Sequence, residues 1–320
     1  MENENVAVIG GAGFLGSHLV DYLVECGNNV FVLDNLISGR KDFVNPKAKF
    51  IWCDITHSET SLYKIFTANK IDFVFNYAAS PYVPDSYDRP LHVFDINARG
   101  ALMVMNAAQA AEVSGILQVS SAEIYGDANG KIGEHYPAAP HSTYGAAKLA
   151  IDTLVQTRWR EAKCPVISLR QFNCLGERDV LHPYVIPTII DQVLHCDYIH
   201  LGNNSFRDFM YAGDAVRIAV ELLEKGKFGE VYNLGSEDGI KIYDLARMIG
   251  IFMGKDIFVE EDDTRKRHWE IWHLQSDNTK IYSVVECRPK VSFEEALRRT
   301  IDSYLILQHG SVGNGTARRG

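Results

Sequence analysis

A tyrosine and a lysine four positions apart, in Tyr144-Gly145-Ala146-Ala147-Lys148, open a helical pattern. On a helix that spacing puts both side chains on one face. An ammonium beside a phenol favours the phenolate, so the pair is a candidate base for a hydroxyl proton near neutral pH. Ser121 ends an apolar run that leads into Ala122-Glu123-Ile124-Tyr125-Gly126. Its hydroxyl can hydrogen-bond the same substrate oxygen. Glu123 lies two residues further on; on an extended strand end it points to the side that Ser121 does. A carboxylate there suits proton removal from carbon. The plainer reading of Glu123 is a cap or a structural ion pair.

A second group of residues binds rather than reacts. Gly10, Gly13 and Gly16, in Gly10-Gly11-Ala12-Gly13-Phe14-Leu15-Gly16, follow an apolar strand and precede an amphipathic stretch. Missing side chains at these positions permit a tight turn, close approach of backbone N–H groups to a pyrophosphate, and close helix–strand packing. Asp34 ends the second strand at the distance where a carboxylate accepts hydrogen bonds from an adenosine ribose and repels a 2′-phosphate. The expected cofactor is therefore NAD, with Arg40 as the residue that argues for a 2′-phosphate instead. A cationic nicotinamide would favour the Tyr144 phenolate as Lys148 does. Asp54 and Ile55 close the third strand, either as an edge contact to adenine or as a turn before the next helix. Tyr77, Ala78, Ala79 and Ser80 follow the fourth strand, where small residues let a dinucleotide lie close to the backbone.

These residues need a scaffold, and the pattern supplies one. Strand candidates at Val6 to Ile9, Val30 to Leu33, Phe50 to Cys53, Phe73 to Phe75, Ile116 to Val119 and Val166 to Leu169 alternate with helical patterns at 14–26, 59–69, 88–111 and 144–162. Such alternation predicts an α/β fold, a doubly wound parallel sheet covered on both faces. After residue 175 the pattern thins to helices near 184–195, 214–225, 242–253 and 293–307, with short strands near 199–201 and 231–233. That predicts a smaller, irregular α/β C-terminal domain over 176–310, some of whose elements return to the first sheet, and a mobile tail over 311–320.

Taken together, these stretches resemble the extended short-chain dehydrogenases/reductases, in the branch of NAD-dependent epimerases and dehydratases that act on nucleotide-diphosphate sugars. The likeness runs over roughly residues 5 to 308. It rests on the glycine loop, Asp34-Asn35 in DNLISGR, Asp54-Ile55, Asn97 in DINARG, SSAEIYG, YGAAK, LRQFNCLGERD and RDFMYAGDAV. It implies a Rossmann-type domain over 1–175 holding NAD through the glycine loop with Phe14 and Leu15, through Asp34, Asn35, Ser38, Gly39, Asp54 and Ile55, and through Tyr77, Ala78, Ala79 and Asn97, with Tyr144 and Lys148. It implies Ser121, Tyr144 and Lys148 as catalytic residues. Ser80, Ser121, Asn173, Tyr184 and Val185 are expected to contact the substrate. Arg207 and Arg267 are expected to clamp its diphosphate, since a pyrophosphate needs forked, permanently charged donors. Arg207 can instead pair with Asp208 or Asp214, and Arg265 competes with Arg267.

The resemblance also implies a first step in which Tyr144 takes the proton of a sugar 4-hydroxyl while hydride leaves C4. Return of hydride to the other face gives 4-epimerisation, the leading expectation. Decarboxylation of a UDP-glucuronate-type substrate and 4,6-dehydration are the alternatives. The dehydratases usually carry Asp-Glu where this chain has Ala122-Glu123, so their expected proton donor is missing. Outside these reactions stand an NAD-binding regulator without turnover and a reductase of apolar carbonyl compounds. A homodimer through a four-helix contact of 88–111 with 144–162 is expected, with a UDP sugar as the first choice of ligand.

Composition agrees. The chain of 320 residues is 46% hydrophobic and 23% charged, with a formal net charge of -9. It has no global attraction for nucleic acid or an anionic membrane surface. No apolar run is long enough to span a bilayer. Six scattered cysteines read as free thiols in a reducing compartment, so a cytoplasmic location is expected. The eleven histidines show no ligand spacing for a metal. Trp269 and Trp272 are expected to pack the small domain.

Overall fold

A computed structural model describes residues 1–266 and 269–312, the side chains of 309–312 excepted. In chain order the first half carries β1 (Asn5–Ile9), α1 (Phe14–Glu25), β2 (Asn29–Asp34), β3 (Lys49–Trp52), α2 (Glu59–Ala68), β4 (Phe73–Asn76), α3 (Asp85–Asp88), α4 (Pro90–Phe94), α5 (Ala101–Ala110), β5 (Gly115–Ser121), α6 (Thr143–Ala162) and β6 (Val166–Gln171). The second half adds β7 (Asn173–Leu175), α7 (Val185–His195), β8 (Tyr198–Leu201), β9 (Phe206–Tyr211), α8 (Ala212–Lys225), β10 (Val231–Leu234), β11 (Gly239–Lys241), α9 (Ile242–Phe252), β12 (Phe258–Glu261), β13 (His273–Leu274), α10 (Thr279–Tyr282) and α11 (Phe293–Val312).

The large sheet has seven strands in the order β10-β6-β5-β4-β1-β2-β3, every neighbouring pair parallel. Its α/β class and parallel, doubly wound topology are those the sequence predicts. Both faces are covered. One core layer joins the sheet to α1 and α8 through Val6, Leu19, Leu23, Leu117 and Leu222. The other joins it to α2, α5 and α6 through Ile9, Leu62, Val104, Ile151 and Val166. Two-sided burial is why β5 and β6 are buried at every position and read as near-continuous apolar runs. The strand order reverses at β1/β4, which opens a crevice at the carboxyl ends of the strands where ligands bind.

The second half contributes to both bodies. Strand β10 and helix α8 return to the large sheet, β10 pairing β6 and α8 packing on α1. Strand β9 is the centre of a small sheet: β7 and β13 pair it in parallel, β11 antiparallel. Helices α7, α9 and α11 cover this sheet with Ile190, Leu245 and Leu297. Helix α11 continues to Val312, into the segment expected to be a tail; the rest of that tail lies outside the described residues.

The helical pattern expected over 88–111 is helical from Pro90 to Ala110, with a π-helical segment over Asp95–Gly100 joining α4 to α5. One expectation needs correction here. Trp269 and Trp272 do not pack the small domain: they are 69% and 54% exposed. The segment lies along β9, with the Phe206 amide donating to the Trp272 carbonyl at 2.8 Å. Ile271 and Leu274 are turned into the core and Trp272 outward; the two core positions are three apart, so simple strand alternation does not run through the segment.

Candidate active site

One cleft of about 1080 Å³ runs from the glycine loop across the ends of the strands to the small sheet. The glycine loop forms one end. Gly10 has φ +76°, and a Cβ there would meet the Ala78 backbone nitrogen at 2.7 Å. A Cβ on Gly16 would collide with the Gly10 carbonyl oxygen. Gly13 is the N-cap of α1 and has no side chain to occupy the first-turn amides, which leaves them for an anion. Asp34 is buried, and its carboxylate accepts from the Ala12 amide at 3.0 Å and the Leu36 amide at 2.8 Å. Burial pushes its pKa up, and those two amides oppose the shift. Arg40, the residue that argued for a 2′-phosphate, forms an ion pair with Asp42 and is absent from the cleft wall.

The same wall carries Phe14, Leu15, Asn35, Ser38, Gly39, Asp54, Ile55, Tyr77, Ala78 and Ala79. Asn35 donates to Asp54 at 3.1 Å. Asp54 also takes the Thr56 amide and hydroxyl at 2.8 and 2.7 Å, so it forms the turn while lining the cleft. Asn97 is the exception. It is buried outside the wall, and its amide donates to the Ser80 and Val93 carbonyls at 3.0 and 2.9 Å. The π-helical segment turns it toward the backbone behind Ser80, which it positions.

Ser121, Glu123, Tyr144 and Lys148 meet on the cleft floor. Helix α6 starts from Ser142, whose hydroxyl accepts from the Gly145 amide at 3.1 Å, and this cap sets Tyr144 and Lys148 in its first turns. Strand β5 ends at Ser121, and Glu123 sits in a single 3₁₀ turn over Ala122–Ile124. Strand alternation therefore does not explain why Glu123 shares the cleft with Ser121; the turn does. The Ser121 hydroxyl accepts from the Glu123 amide at 3.2 Å. The turn is held from below by the Tyr125 hydroxyl, which donates to Asn233 at 2.7 Å and accepts from Arg170 at 2.6 Å. Arg170 is paired in turn with the buried Asp152 at 2.7 Å.

The electrostatics differ from the sequence expectation. Burial pushes the Tyr144 phenol up to about 12, opposed by its hydrogen bond with Ser121 and reinforced by Glu123. Burial pulls Lys148 down to about 8. The Lys148 ammonium donates to the Val119 carbonyl at 3.0 Å and lies 5.8 Å from the centre of the Tyr144 ring.

The far end of the cleft is formed by Ser80, Tyr82, Asn173, Asp179, His182, Tyr184, Val185 and Arg207. The Tyr82 and His182 rings lie parallel, 6.2 Å apart. Arg207, on β9, pairs neither Asp208 nor Asp214. It meets Glu270 at 2.7 Å and the Ile271 carbonyl at 2.6 Å, with its guanidinium in the cleft wall. Asp208 instead binds Ser236 and Ser276. Arg265 also lines the cleft, 3.4 Å from Asp262. Arg267 lies outside the described residues. Sequence reasoning gave no role to Asp179 or Glu270: neither belongs to a periodic pattern or has a partner nearby in sequence.

Among the described residues no group of His, Cys, Asp or Glu could hold a metal ion, and no helix is long and apolar enough to cross a membrane. The six cysteines are free.

A parallel sheet with a glycine cradle at its switch point, and a serine, tyrosine and lysine on the floor of the same cleft, defines a dinucleotide-dependent enzyme that works on a hydroxyl or carbonyl carbon. The chain belongs to the NAD dependent epimerase/dehydratase family, whose model matches residues 6–235, and NAD is the cofactor of that family. It is 31% identical to a human dTDP-D-glucose 4,6-dehydratase, over 94% of this chain and 90% of that one. It is also 31% identical to a UDP-glucose 4-epimerase of Lacticaseibacillus casei, over 76% and 81% of the two chains. Among solved structures, the Thermotoga maritima UDP-glucose 4-epimerase with UDP-glucose superposes with a TM-score of 0.88 at 29% identity, over 95% of this chain and 99% of that one.

Proposed function

We propose that this protein is a nucleotide-diphosphate-sugar 4-epimerase acting on a UDP sugar. The observation that carries the reading is the pairing of Ser121 with Tyr144 on the floor of a cleft whose one end is the glycine cradle, together with Ala122. Ala122 is 2% exposed and packed among Ile124, Tyr125 and Phe172. No acid stands there to protonate a leaving hydroxyl. Bound NAD supplies the acceptor, and then the donor, of the hydride at the sugar C4. Tyr144 takes the proton from the 4-hydroxyl while Ser121 hydrogen-bonds the same oxygen. Once the sugar has turned over and its C4 has taken the hydride back on the other face, Tyr144 returns the proton to the 4-oxygen. Lys148, beneath the ring, is the chain's own cation favouring the ionised phenol. The resting phenol, held up by burial, needs a further positive charge to act near neutral pH, which the oxidised nicotinamide carries.

We assign residues 1–175 mainly to the dinucleotide and 176–310 mainly to the nucleotide sugar, with Arg207 beside the diphosphate. A hexuronate is disfavoured. Of the described lysines and arginines that line the cleft, Lys148 is committed to Val119, Arg89 to Asp85, Arg207 to Glu270 and Arg265 to Asp262. Glu123 in the cleft favours 4,6-dehydration as the second reading, since C5 chemistry needs a carboxylate there.

Incubation with UDP-glucose, its N-acetyl relative, UDP-glucuronate, dTDP-glucose and GDP sugars, read by NMR, separates the products. A C4 epimer supports the proposal; a 4-keto-6-deoxy sugar or a pentose replaces it with a lyase. A wild type inert toward all of them points to the NAD-binding regulator. We also propose a cytoplasmic homodimer joined across α4–α5 and α6. Leu91 and Phe94 on α4 are 85% and 44% exposed, apolar surface that such a contact would cover. Sedimentation showing only monomer at micromolar concentration would contradict the dimer.

A further inference from the structure

Among the described residues five aspartates are buried, and four are committed. Asp34 holds the Ala12 and Leu36 amides. Asp152 takes Ser168 and Arg170. Asp208 takes Ser236 and Ser276, and Asp214 takes Arg217 with the Lys290 and Val291 amides. Asp179, 4% exposed on the loop between β7 and α7, has no hydrogen bond or ion pair among the described residues. Buried polar groups are ordinarily satisfied, and an unpartnered carboxyl costs stability without return inside the chain. Asp179 does line the cleft, at the end away from the glycine loop. The Tyr184 phenol lies within electrostatic reach of both Asp179 and Tyr144.

We propose that Asp179 recognises the sugar, its carboxyl donating a hydrogen bond to a sugar hydroxyl in the cleft; this rests on the nucleotide-sugar reading above. The surroundings suit a donor. Burial raises Asp179 to about 8, so at neutral pH the carboxyl keeps its proton. The groups about it are Cys174 from β7, Tyr184 at the start of α7, and Tyr82, His182 and Asp85 beyond. Burial holds the Cys174 thiol and the Tyr184 phenol up and His182 down, which keeps all three neutral. Asp85 is paired with Arg89 at 2.8 Å. The adjacent Arg178 is turned to Asp21 at 2.6 Å. The missing partner is thus a neutral polar group from outside the chain, as a sugar hydroxyl is.

The test is calorimetric binding of UDP, UDP-glucose, dTDP and dTDP-glucose to the NAD-loaded protein, for wild type, Asp179→Leu and Asp179→Asn. The quantity read is the gain in affinity that the sugar adds to the nucleotide. Asp179→Leu should keep the nucleotide affinity and lose about tenfold of that gain. Asp179→Asn imitates the protonated acid and should keep most of it. In the wild type the gain should shrink from about pH 7 to about pH 9.5 as the carboxyl ionises. Asp179→Asn reports whatever Lys148, which titrates in the same range, contributes, so the wild-type gain should fall more steeply than that of Asp179→Asn. A leucine variant with both nucleotide affinity and sugar gain intact would overturn the assignment. If the leucine variant binds no nucleotide, the asparagine comparison decides, and equal pH profiles would overturn it. A wild type that binds none of the four ligands would instead overturn the nucleotide-sugar reading.

Discussion

Replacing Lys148 with methionine should stabilise the dinucleotide-free protein at neutral pH while abolishing turnover. Lys148 is 2% exposed, and burial lowers its pKa from 10.5 to about 8. At about 1.4 kcal/mol per pH unit, holding the ammonium inside the fold costs roughly 3 kcal/mol relative to the unfolded chain. Methionine has nearly the same length and no charge to desolvate. It also leaves the Val119 carbonyl without the donor it has at 3.0 Å, a loss of about 1–3 kcal/mol. The variant should therefore be equal to or more stable than wild type, by about 0–2 kcal/mol, at about pH 7. Between the folded pKa near 8 and the unfolded 10.5 the unfolded wild type binds more protons than the folded one. Wild-type stability rises with pH through that window, and the variant has no such contribution. Urea denaturation of both proteins from about pH 7 to about pH 10, after removal of dinucleotide, measures the difference. It should shrink and then change sign in favour of wild type. A difference that stays constant across the range would refute the claim that a buried ammonium is being held at a cost.

Three further outcomes follow from the same structure. Tyr144→Phe should lower kcat by about 10²–10⁴-fold, the usual contribution of a positioned base, with thermal stability within about 1 kcal/mol of wild type; retained turnover would remove Tyr144 from the chemistry. Gly10→Ala should lose NAD binding and destabilise the fold, because φ is +76° and the new Cβ would press on the Ala78 amide; fluorescence titration and thermal denaturation read the two effects. Asp152→Ala should cost about 3–5 kcal/mol, since it strands Arg170, 8% exposed, without its carboxylate. Tyr125 loses a fixed neighbour, so residual activity of any folded Asp152→Ala protein should fall as well.

Much of the large sheet was legible because its information is local. Two-sided burial writes strands such as β5 and β6 as apolar runs, and the glycine loop declares itself by spacing between a strand and a helix. The small sheet was less legible. Strand β9 pairs with β7, β11 and β13, segments drawn from separate parts of the chain, and none shows strong alternation alone. The outward Trp272 misled for the same reason: which side of an edge segment faces the core is settled by the partner it lies on.

For the site, residue identity and spacing determined the cradle, the Asp34 position and the Tyr144–Lys148 face, since helical periodicity and glycine's missing side chain act over a few residues. Tertiary structure decided what those groups can do. It put the Lys148 ammonium against the Val119 carbonyl, turned Asn97 away from the cleft to hold Ser80, paired Arg207 with Glu270 and left Asp179 buried without a partner among the described residues. Proton affinity and pairing depend on solvent exclusion and on contacts between distant segments, and neither exists until the chain has folded.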